Sequence, residues 1–310
     1  MSIICQFCEK EFKSYGGLHK HLKTHDMTQE EYYHNFYPRY DRLTKEIIPY
    51  KSRDYYFNQE FARQENKNTW CLLHKDRDEV KSFMLGELKK RINDKELEHV
   101  PSYLEMMNSE LLHIDVYREV FGAFSNVCSQ LGMKPIFGKG INFEQFKSKK
   151  PPENLHVFID TREQKPLKFK NSSPLKLDFG DYGTGGDHYD KTFVDRKSLQ
   201  DFRGTLSQGN LERFREELGR AKKFGCYVYI LTECSMQDVW DSDENAHGAT
   251  TSAYLFHNAR VLQHEFKGHC QFLFSGGRRE SEYLIPRLLL WGKKLWDVDL
   301  QYYLDKYRKT

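Results

Sequence analysis

The sequence predicts an α/β fold for residues 154–294, because short β-like runs alternate there with segments of helical periodicity. The runs at 155–160, 192–197 and 226–233 are rich in β-branched and aromatic residues, as strands are. Before the last run, Leu211, Phe214 and Leu218 fall on one helical face, and Gly225 is a helix stop signal. Residues 251–292 continue as helix, strand and apolar helix, which leaves a C-terminal tail at 295–310 that either packs back or stays exposed.

Two further regions precede this domain. Residues 27–146 are predicted to be mainly helical, since Val80, Met84 and Leu88 recur at helical spacing and a second apolar stripe runs from 117 to 131. The aromatic residues of this region suit either a packed core or stacking on unpaired bases. The stretch KSKKPPEN at 147–154 holds two prolines and is predicted to be a linker.

Composition narrows the class of protein. With 310 residues, 30% of them charged and 15% aromatic, the chain is long enough for two or three folded units. No run approaches the roughly 20 apolar residues that span a bilayer, and no signal-peptide pattern is present, so we expect an intracellular protein without membrane contact. The net charge of +3 is too small to attract a polyanion by itself, so nucleic-acid binding would need locally arranged Lys and Arg.

The first 26 residues carry a metal-ligand pattern. Two cysteines are separated by two residues, and two histidines by three, with twelve residues between the pairs: Cys5, Cys8, His21 and His25. This spacing closes a tetrahedral Zn²⁺ site and places both histidines on one helical face. The segment resembles a single two-Cys two-His zinc finger of ββα architecture, in which the metal is structural.

The role of this finger is left open by its sequence. In the usual docking geometry its base-reading positions would be Ser14, Gly17 and Lys20, and a glycine reads no base edge. Lys13, Lys20 and Lys23 are candidate phosphate contacts. We therefore expect weak sequence specificity, and contact with a protein partner is the alternative.

The α/β domain contains acids and a lysine that suit phosphodiester chemistry. Asp160 ends one β-like run, Asp181 opens a hairpin, and Asp195 and Lys197 lie two residues apart on the next run, so that their side chains share a face. Two carboxylates suit Mg²⁺ or Mn²⁺, and a nearby ammonium polarises water and offsets phosphate charge. The pattern indicates a metal-dependent phosphodiesterase site; the alternative is a charged surface hairpin.

The segments IDTRE, GDY and VDRKSLQDF resemble the nuclease domain of the XPF/Mus81 family of structure-specific endonucleases, which has a restriction-endonuclease-like fold. The family signature is Gly-Asp, a hairpin of variable length, then Glu-Arg-Lys, three residues and Asp. It is matched by Gly180, Asp181, Asp195, Arg196, Lys197 and Asp201.

The resemblance implies a role for each matched residue. Asp181 and Asp195 would be metal ligands, with Asp160 and Glu163 completing or supporting the site. Lys197 would orient or activate water, Arg196 would organise the carboxylates or contact phosphate, and Asp201 would hold the following helix. All but Asp201 are catalytic-site candidates, and Asp160 is a third candidate ligand of Mg²⁺ or Mn²⁺ beside Asp181 and Asp195.

Two departures from the family pattern affect what the resemblance implies. Asp195 stands where the family has Glu, which shortens the reach by one methylene. No pair of helix-hairpin-helix motifs follows the domain, so the finger and the region 27–146 are the candidates for gripping DNA. This compact arrangement is similar to phage or viral members of the family.

Two further surfaces are predicted. Arg203, in the polar loop RGTLSQGN after the candidate site, is a candidate DNA-phosphate contact. By analogy with the family, a homodimer is possible through Leu255, Phe256 and residues 288–290.

Together these observations predict a metal-dependent endonuclease that cuts branched, flapped or partly single-stranded DNA during repair, recombination or replication. Two alternatives stay open: a Holliday-junction resolvase or broad nicking nuclease, and a non-catalytic DNA-binding scaffold with an inactive nuclease fold. The expected compartment is nuclear, or the cytoplasm of a bacterial host if the chain is phage-encoded.

Overall fold

A computed structural model describes residues 3–41, 43–58, 63–64, 69–70, 76–245 and 250–308. The chain divides into two compact units: one formed by Met1–Arg91 and Leu112–Val127, the other by Ile92–Leu111 and Cys128–Thr310. Residues of the region 27–146 therefore contribute to both units. No helix in the described ranges combines the length and apolar character that crossing a bilayer requires.

The elements up to residue 150 are short and mostly helical. In chain order they are β1 (Ile3–Ile4), β2 (Glu11–Phe12), α1 (Tyr15–His21), α2 (Gln29–Phe36), α3 (Arg53–Asn58), β3 (Arg63–Gln64), β4 (Thr69–Trp70), α4 (Arg77–Asp94), α5 (Tyr103–Met107), α6 (Ile114–Phe121), α7 (Phe124–Leu131) and α8 (Phe143–Ser148).

The elements beyond residue 150 begin with four strands, of which the one at residues 172–175 was not predicted, and then combine helices with two further strands. They are β5 (Val157–Asp160), β6 (Ser172–Leu175), β7 (Tyr182–Thr184), β8 (Thr192–Lys197), α9 (Leu199–Thr205), α10 (Leu211–Lys223), β9 (Tyr227–Thr232), α11 (Met236–Asp241), α12 (Ser252–Glu265), β10 (Cys270–Phe274), α13 (Arg278–Trp291) and α14 (Leu300–Arg308).

The first unit is built around aromatic side chains. β1 and β2 pair as an antiparallel hairpin, and α1 begins at its N-cap Ser14. Leu18 and Leu22 pack with Tyr32, Tyr33 and Tyr56, all nearly inaccessible. This favours the core interpretation of the aromatic residues at 32–57 over base stacking.

The apolar stripe at 117–131 does not form one helix. It is divided into α6 and α7 around Gly122, whose φ of 78° ends the first helix. An L-residue is disfavoured at this angle, so the glycine explains the break. The periodicity continues across the break, which is why the sequence pattern predicts a single helix.

A six-stranded sheet forms the centre of the second unit, in the order β10–β9–β8–β7–β5–β6. The pairs β10–β9, β9–β8 and β5–β6 are parallel, and β7 is antiparallel to both of its neighbours. Helices cover both faces. On one face α9, α10 and α12 contribute Phe202, Phe214 and Phe256 to the core. On the other face α13 and α14 contribute Leu284 and Leu300.

The C-terminal tail packs back onto the sheet. Edge strand β10 is closed by buried glutamines: the Gln271 side chain donates to the carbonyl of Val298 and accepts from the amide of Leu300. The Gln301 side chain accepts from the amide of Phe274. The Gln301 bond occupies an edge amide of β10 that would otherwise be free to pair with another strand, and the Gln271 bonds fix the backbone of the tail.

Four of the five side chains proposed for a dimer face lie inside the fold, and the fifth, Leu290, is half-buried. Leu255, Phe256, Leu288 and Leu289 are each at most 3% exposed. They pack in the two cores of the sheet and cannot offer a surface to a second copy. The choice of these residues was wrong because an apolar helix between two core layers has the same pattern as an apolar interface helix.

We predict that Gln271→Ala lowers the free energy of unfolding of the protein. The substitution removes the hydrogen bonds that the Gln271 side chain makes to the buried Val298 carbonyl and Leu300 amide. Each buried group left unpaired costs about 1–3 kcal/mol of stability. Urea denaturation measures the change. Leu175→Ala, at the exposed opposite edge, is the control and should alter stability by less than about 0.5 kcal/mol. Equal stability of Gln271→Ala and the parent would contradict the packing of α14 described above.

Candidate functional site

The register of three strands places three aspartates in one row across the sheet. Ile159 lies opposite Tyr182, and Tyr182 lies opposite Val194. The next row therefore contains Asp160, Asp181 and Asp195. The Asp160 amide donates to the Asp181 carbonyl at 2.8 Å, as this alignment requires. Side chains of directly opposed residues emerge on the same face, so all three aspartates point to the face covered by α9 and α10.

Gly180 allows the start of β7 to approach the Val194 carbonyl of β8 closely. Its φ is 61°, and a Cβ at this position would lie 2.8 Å from the Val194 carbonyl oxygen. The adjacent Asp181 amide donates to that same oxygen at 2.8 Å. The Gly-Asp dipeptide is thus explained by backbone packing at the entry to β7.

Asp195 and Lys197 form a buried ion pair on this face. The Lys197 Nζ donates to the Asp195 Oδ1 at 2.9 Å, with side chains only 13% and 10% exposed. The ammonium also lies 5.1 Å from the centroid of the Phe214 ring on α10. Burial alone would lower the pKa of Lys197, but the Asp195 carboxylate outweighs it and raises that pKa. Lys197 is therefore a fixed positive charge.

Asp181 lies beside this pair in a strongly desolvated position. Its Oδ2 accepts from the Arg196 amide at 2.7 Å. Burial, followed by repulsion from the Asp195 carboxylate, raises the pKa of Asp181 to about 8. Asp181 is therefore mostly protonated near neutral pH, and acids perturbed in this way are typical of functional sites.

Glu217 is a further acid at this site that the sequence interpretation missed. It lies on α10, one turn after Phe214 and on the same helical face. Burial and the nearby Asp195 carboxylate raise the pKa of Glu217, whereas Lys197 opposes that shift. The available signal was an acid adjacent to the buried Leu218 on an otherwise apolar face.

An open cleft of about 350 Å³ gives access to this face. Lys197 and Glu217 are among its lining residues, and most of the others are polar residues of α9 and α10. The lining residues are Lys197, Gln200, Asp201, Gly204, Thr205, Asn210, Arg213, Phe214 and Glu217. The cleft can therefore bring a polar substrate to the Asp195–Lys197 pair.

Arg196 and Glu163 belong to an ion-pair network on the opposite face. Arg196 donates to both carboxylate oxygens of Glu163, at 3.1 and 3.0 Å, and to Glu233 at 2.9 Å. Its side chain is 8% exposed. The network ties the ends of β5, β8 and β9 together, so the geometry favours the organising role of Arg196 over the phosphate contact.

Asp160 is engaged in a way that the sequence did not predict. Its two oxygens accept four N–H groups: the Nε, Nη2 and amide of Arg162, and the amide of Leu177. Burial alone would raise the pKa of Asp160, but these hydrogen bonds outweigh it and lower that pKa. A carboxylate saturated in this way has no lone pair left for a metal ion, which opposes its selection as a ligand.

The remaining predicted residues of the domain have structural contacts. Asp201 forms a capping box with Ser198 at the start of α9, which confirms that it holds this helix. Arg203 donates to Asp243, to the hydroxyls of Ser242 and Ser252 and to the Thr250 carbonyl. Its guanidinium therefore anchors α9 to the segment before α12 and is not displayed to a phosphate.

In the first unit, Cys5, Cys8, His21 and His25 converge. Their potential ligand atoms lie within 4.8 Å of one another. The Cys8 Sγ lies 3.2 Å from the His21 Nε2, which lies 3.0 Å from the His25 Nε2. A search of the described residues for three or more Cys, His, Asp or Glu side chains close enough to share one ion finds these four. The described acids of the second unit form no group of three or more within this distance.

Helix α1 uses one of its faces within the first unit. The His19 Nε2 lies 2.9 Å from the Tyr33 hydroxyl, and Leu18 is buried beside it. Ser14 is the N-cap and accepts from the Gly17 amide. Lys13, Lys20 and Lys23 are exposed, so their predicted phosphate contacts stay a prediction.

No protein-family model and no curated protein matches this chain. Two solved structures are similar to part of it. XPF from Aeropyrum pernix in complex with DNA is 20% identical with a TM-score of 0.33, covering 44% of this chain and 63% of that one. XPF from Aeropyrum pernix is 20% identical with a TM-score of 0.32, covering 49% and 73%. Similarity at this level does not establish a family, and the chain spans less than two thirds of the first structure.

We predict that Asp181→Asn removes a pH-dependent loss of stability. The pKa of Asp181 is raised to about 8 in the fold, against about 3.9 in an unfolded chain. Folding therefore favours the protonated acid, and stability falls as pH rises from about 4 to about 8. In EDTA, the melting temperature of the parent should fall more steeply over this range than that of Asp181→Asn, which keeps an acceptor for the Arg196 amide.

Asp178→Asn is the matched control, because Asp178 is an exposed acid three residues away. Its melting curve should follow that of the parent at every pH. Parallel pH profiles for the parent and Asp181→Asn would show that Asp181 is not desolvated as described.

Proposed function

We propose that the protein is a divalent-metal-dependent endonuclease that hydrolyses phosphodiester bonds in DNA. The observation that carries this proposal is the Asp181–Asp195 carboxylate pair, fixed beside the Lys197 ammonium at the end of an open cleft. Without a metal ion Asp181 is mostly protonated near neutral pH, because burial and Asp195 raise its pKa to about 8. A divalent cation held by Asp181 and Asp195 would displace that proton and would offset the negative charge of a phosphodiester.

The donor set fits Mg²⁺ or Mn²⁺. Both are hard cations that prefer oxygen, and Mg²⁺ is commonly held by one or two carboxylates with water and substrate phosphate completing its shell. Asp181 and Asp195 would supply the protein ligands from neighbouring strands. Asp195 is one methylene shorter than the Glu of the family pattern, and its place next to Asp181 in the sheet supports direct participation.

The chain's own groups divide the remaining work. When bound, the metal ion supplies a Lewis acid that lowers the pKa of coordinated water. Lys197 keeps its proton, because Asp195 raises its pKa, and so donates a hydrogen bond and offsets charge on the phosphate. Arg196 and Glu163 hold β5 and β8 in register from the opposite face.

Branched or flapped DNA is the proposed substrate on the strength of the sequence resemblance to the XPF/Mus81 family. Repair, recombination or replication is the proposed setting on the same ground. The Cys/His cluster is proposed to hold a structural Zn²⁺, since thiolate and imidazole ligands in a four-member set are typical of zinc. Homodimer formation stays a proposal, but its interface would not include the buried side chains of Leu255, Phe256, Leu288 and Leu289.

Cleavage of labelled fork, flap, nicked and four-way DNAs in Mg²⁺ or Mn²⁺ tests the proposal. We expect the parent to cut branched substrates and to stop in EDTA. Asp181→Asn and Asp195→Asn should each lower the rate by at least about a hundredfold, beyond the typical effect of residues that only support a ligand. Lys197→Ala should lower it by about 10²–10³-fold, as loss of a charge-stabilising donor does.

Asp178→Asn is again the control and should cut as the parent does. Undiminished cleavage by Asp181→Asn and Asp195→Asn would end the assignment of this site. A parent protein that binds these DNAs but never cuts them would favour the non-catalytic scaffold. Preferential cutting of four-way DNA would favour the resolvase alternative.

We also predict that Cys5→Ser abolishes stoichiometric zinc binding. A hydroxyl is a poor zinc ligand, and three ligands leave the tetrahedral site open. Zinc measured in the purified protein should fall from about one ion per chain to near zero. Cys226→Ser, in the second unit and outside the cluster, should retain the ion. Unchanged zinc in Cys5→Ser would exclude this ligand set.

A further inference from the structure

Arg162 has an exposed guanidinium attached to a buried carboxylate. The Arg162 side chain is 67% exposed, whereas the side chain of Asp160 is 1% exposed. Two bonds join them: Nε to Oδ1 at 2.6 Å and Nη2 to Oδ2 at 3.1 Å. Nη2 also donates to the Leu177 carbonyl at 2.9 Å. The guanidinium is therefore held in one orientation although most of it faces solvent.

The remaining donors of Arg162 point away from these partners. Nε and Nη2 are engaged, and the described residues supply no hydrogen bond to Nη1, which carries two N–H groups. Asp160 lies next to Asp181 in the row of aspartates, so the guanidinium that it holds is anchored to the strand beside the proposed cleavage site. The Asp181 and Glu217 carboxylates both act electrostatically on Arg162, which is consistent with that position.

We propose that Arg162 binds a phosphate of the DNA substrate next to the scissile bond, and that Asp160 is the positioning residue that aims it. This inference rests on the proposed nuclease function and deepens it. Arg binds phosphate strongly through charge-assisted hydrogen bonds, and phosphate contacts fix the register of a protein on DNA. A guanidinium already fixed by a buried carboxylate loses less side-chain freedom when it binds.

Stability alone does not account for this arrangement. Satisfying the buried Asp160 uses only Nε and Nη2 of the guanidinium, so the exposed Nη1 end adds nothing to that pairing. The buried Asp160 is also satisfied in part by two backbone amides, from Arg162 and Leu177. Binding of an anionic group from outside the protein gives the exposed end of Arg162 a role that folding does not give it.

The test measures binding of a labelled forked DNA at increasing salt, in Ca²⁺ and in an Asp195→Asn background that prevents cutting. Loss of one phosphate contact lowers the slope of log K against log salt by about 1. We expect Arg162→Gln to show this reduction and to bind roughly tenfold more weakly. Arg162→Lys should keep the slope, since it keeps the charge, and should cut more slowly in the Asp195 parent because the fixed fork is lost.

Arg215→Gln is the matched control. Arg215 is also an arginine of the second unit held by acids, Glu212 and Glu265, and it does not line the cleft. It should leave slope and cleavage unchanged. Because Arg162→Gln strands the buried Asp160, the double variant Asp160→Asn with Arg162→Gln is measured beside it and should show the same lower slope with a parental melting temperature.

A slope and cleavage rate unchanged in both glutamine variants would overturn the proposal. The proposed nuclease function fails in a different way, with a parent that does not cut and an Asp195→Asn substitution without effect. An equal loss of slope in Arg215→Gln would also overturn the proposal, because it would show a general charge effect.

Discussion

Asp181 and Asp195 are held side by side on neighbouring strands although both are largely removed from water, and the rest of the site depends on this unfavourable contact. Backbone geometry enforces it. Gly180 lets the chain approach the Val194 carbonyl, and β7 is antiparallel to β8 at this point. Lys197 neutralises part of the charge through its bond to Asp195. Burial and the repulsion that remains keep Asp181 mostly protonated near neutral pH, since its pKa is raised to about 8.

The two faces of the sheet support this contact differently. On the face of α9 and α10, Phe214 contacts the Lys197 ammonium while Glu217 adds a further acid at the cleft. On the other face, Arg196 joins Glu163 and Glu233 in a buried network. Replacing one member of such a network leaves an unpaired buried charge, so its geometry is strongly determined. Asp195 and Arg196 are adjacent on β8 and point to opposite faces. The proposed site and the ion-pair network that supports it therefore lie on different faces of the sheet.

Local pattern predicted the parts of this architecture that local physics determines. The strands at 157–160, 192–197 and 227–232, helix α10 and the convergence of Cys5, Cys8, His21 and His25 all follow from short-range spacing. The pairing of Asp195 with Lys197 follows from their separation by two residues on a strand. None of these needs knowledge of a distant segment.

The residues that sequence reasoning misjudged are those whose partners are chosen by tertiary structure. The position of Asp160 at the end of a strand suits a metal ligand, but its neighbour Arg162 donates to both of its oxygens. Arg203 looked free because Asp243 is distant along the chain. Glu217 was hidden among the mixed charges of an amphipathic helix. The buried helices α12 and α13 resembled interface helices because apolar residues carry no mark of what covers them.

The most direct measurement is anomalous scattering from a crystal of the protein soaked in Mn²⁺. The account predicts one Mn²⁺ peak at bonding distance from an oxygen of Asp181 and an oxygen of Asp195, with Asp160 still bound to Arg162. Carboxylates that stay without a shared ion at saturating Mn²⁺, or a peak bound elsewhere on the domain, would contradict it.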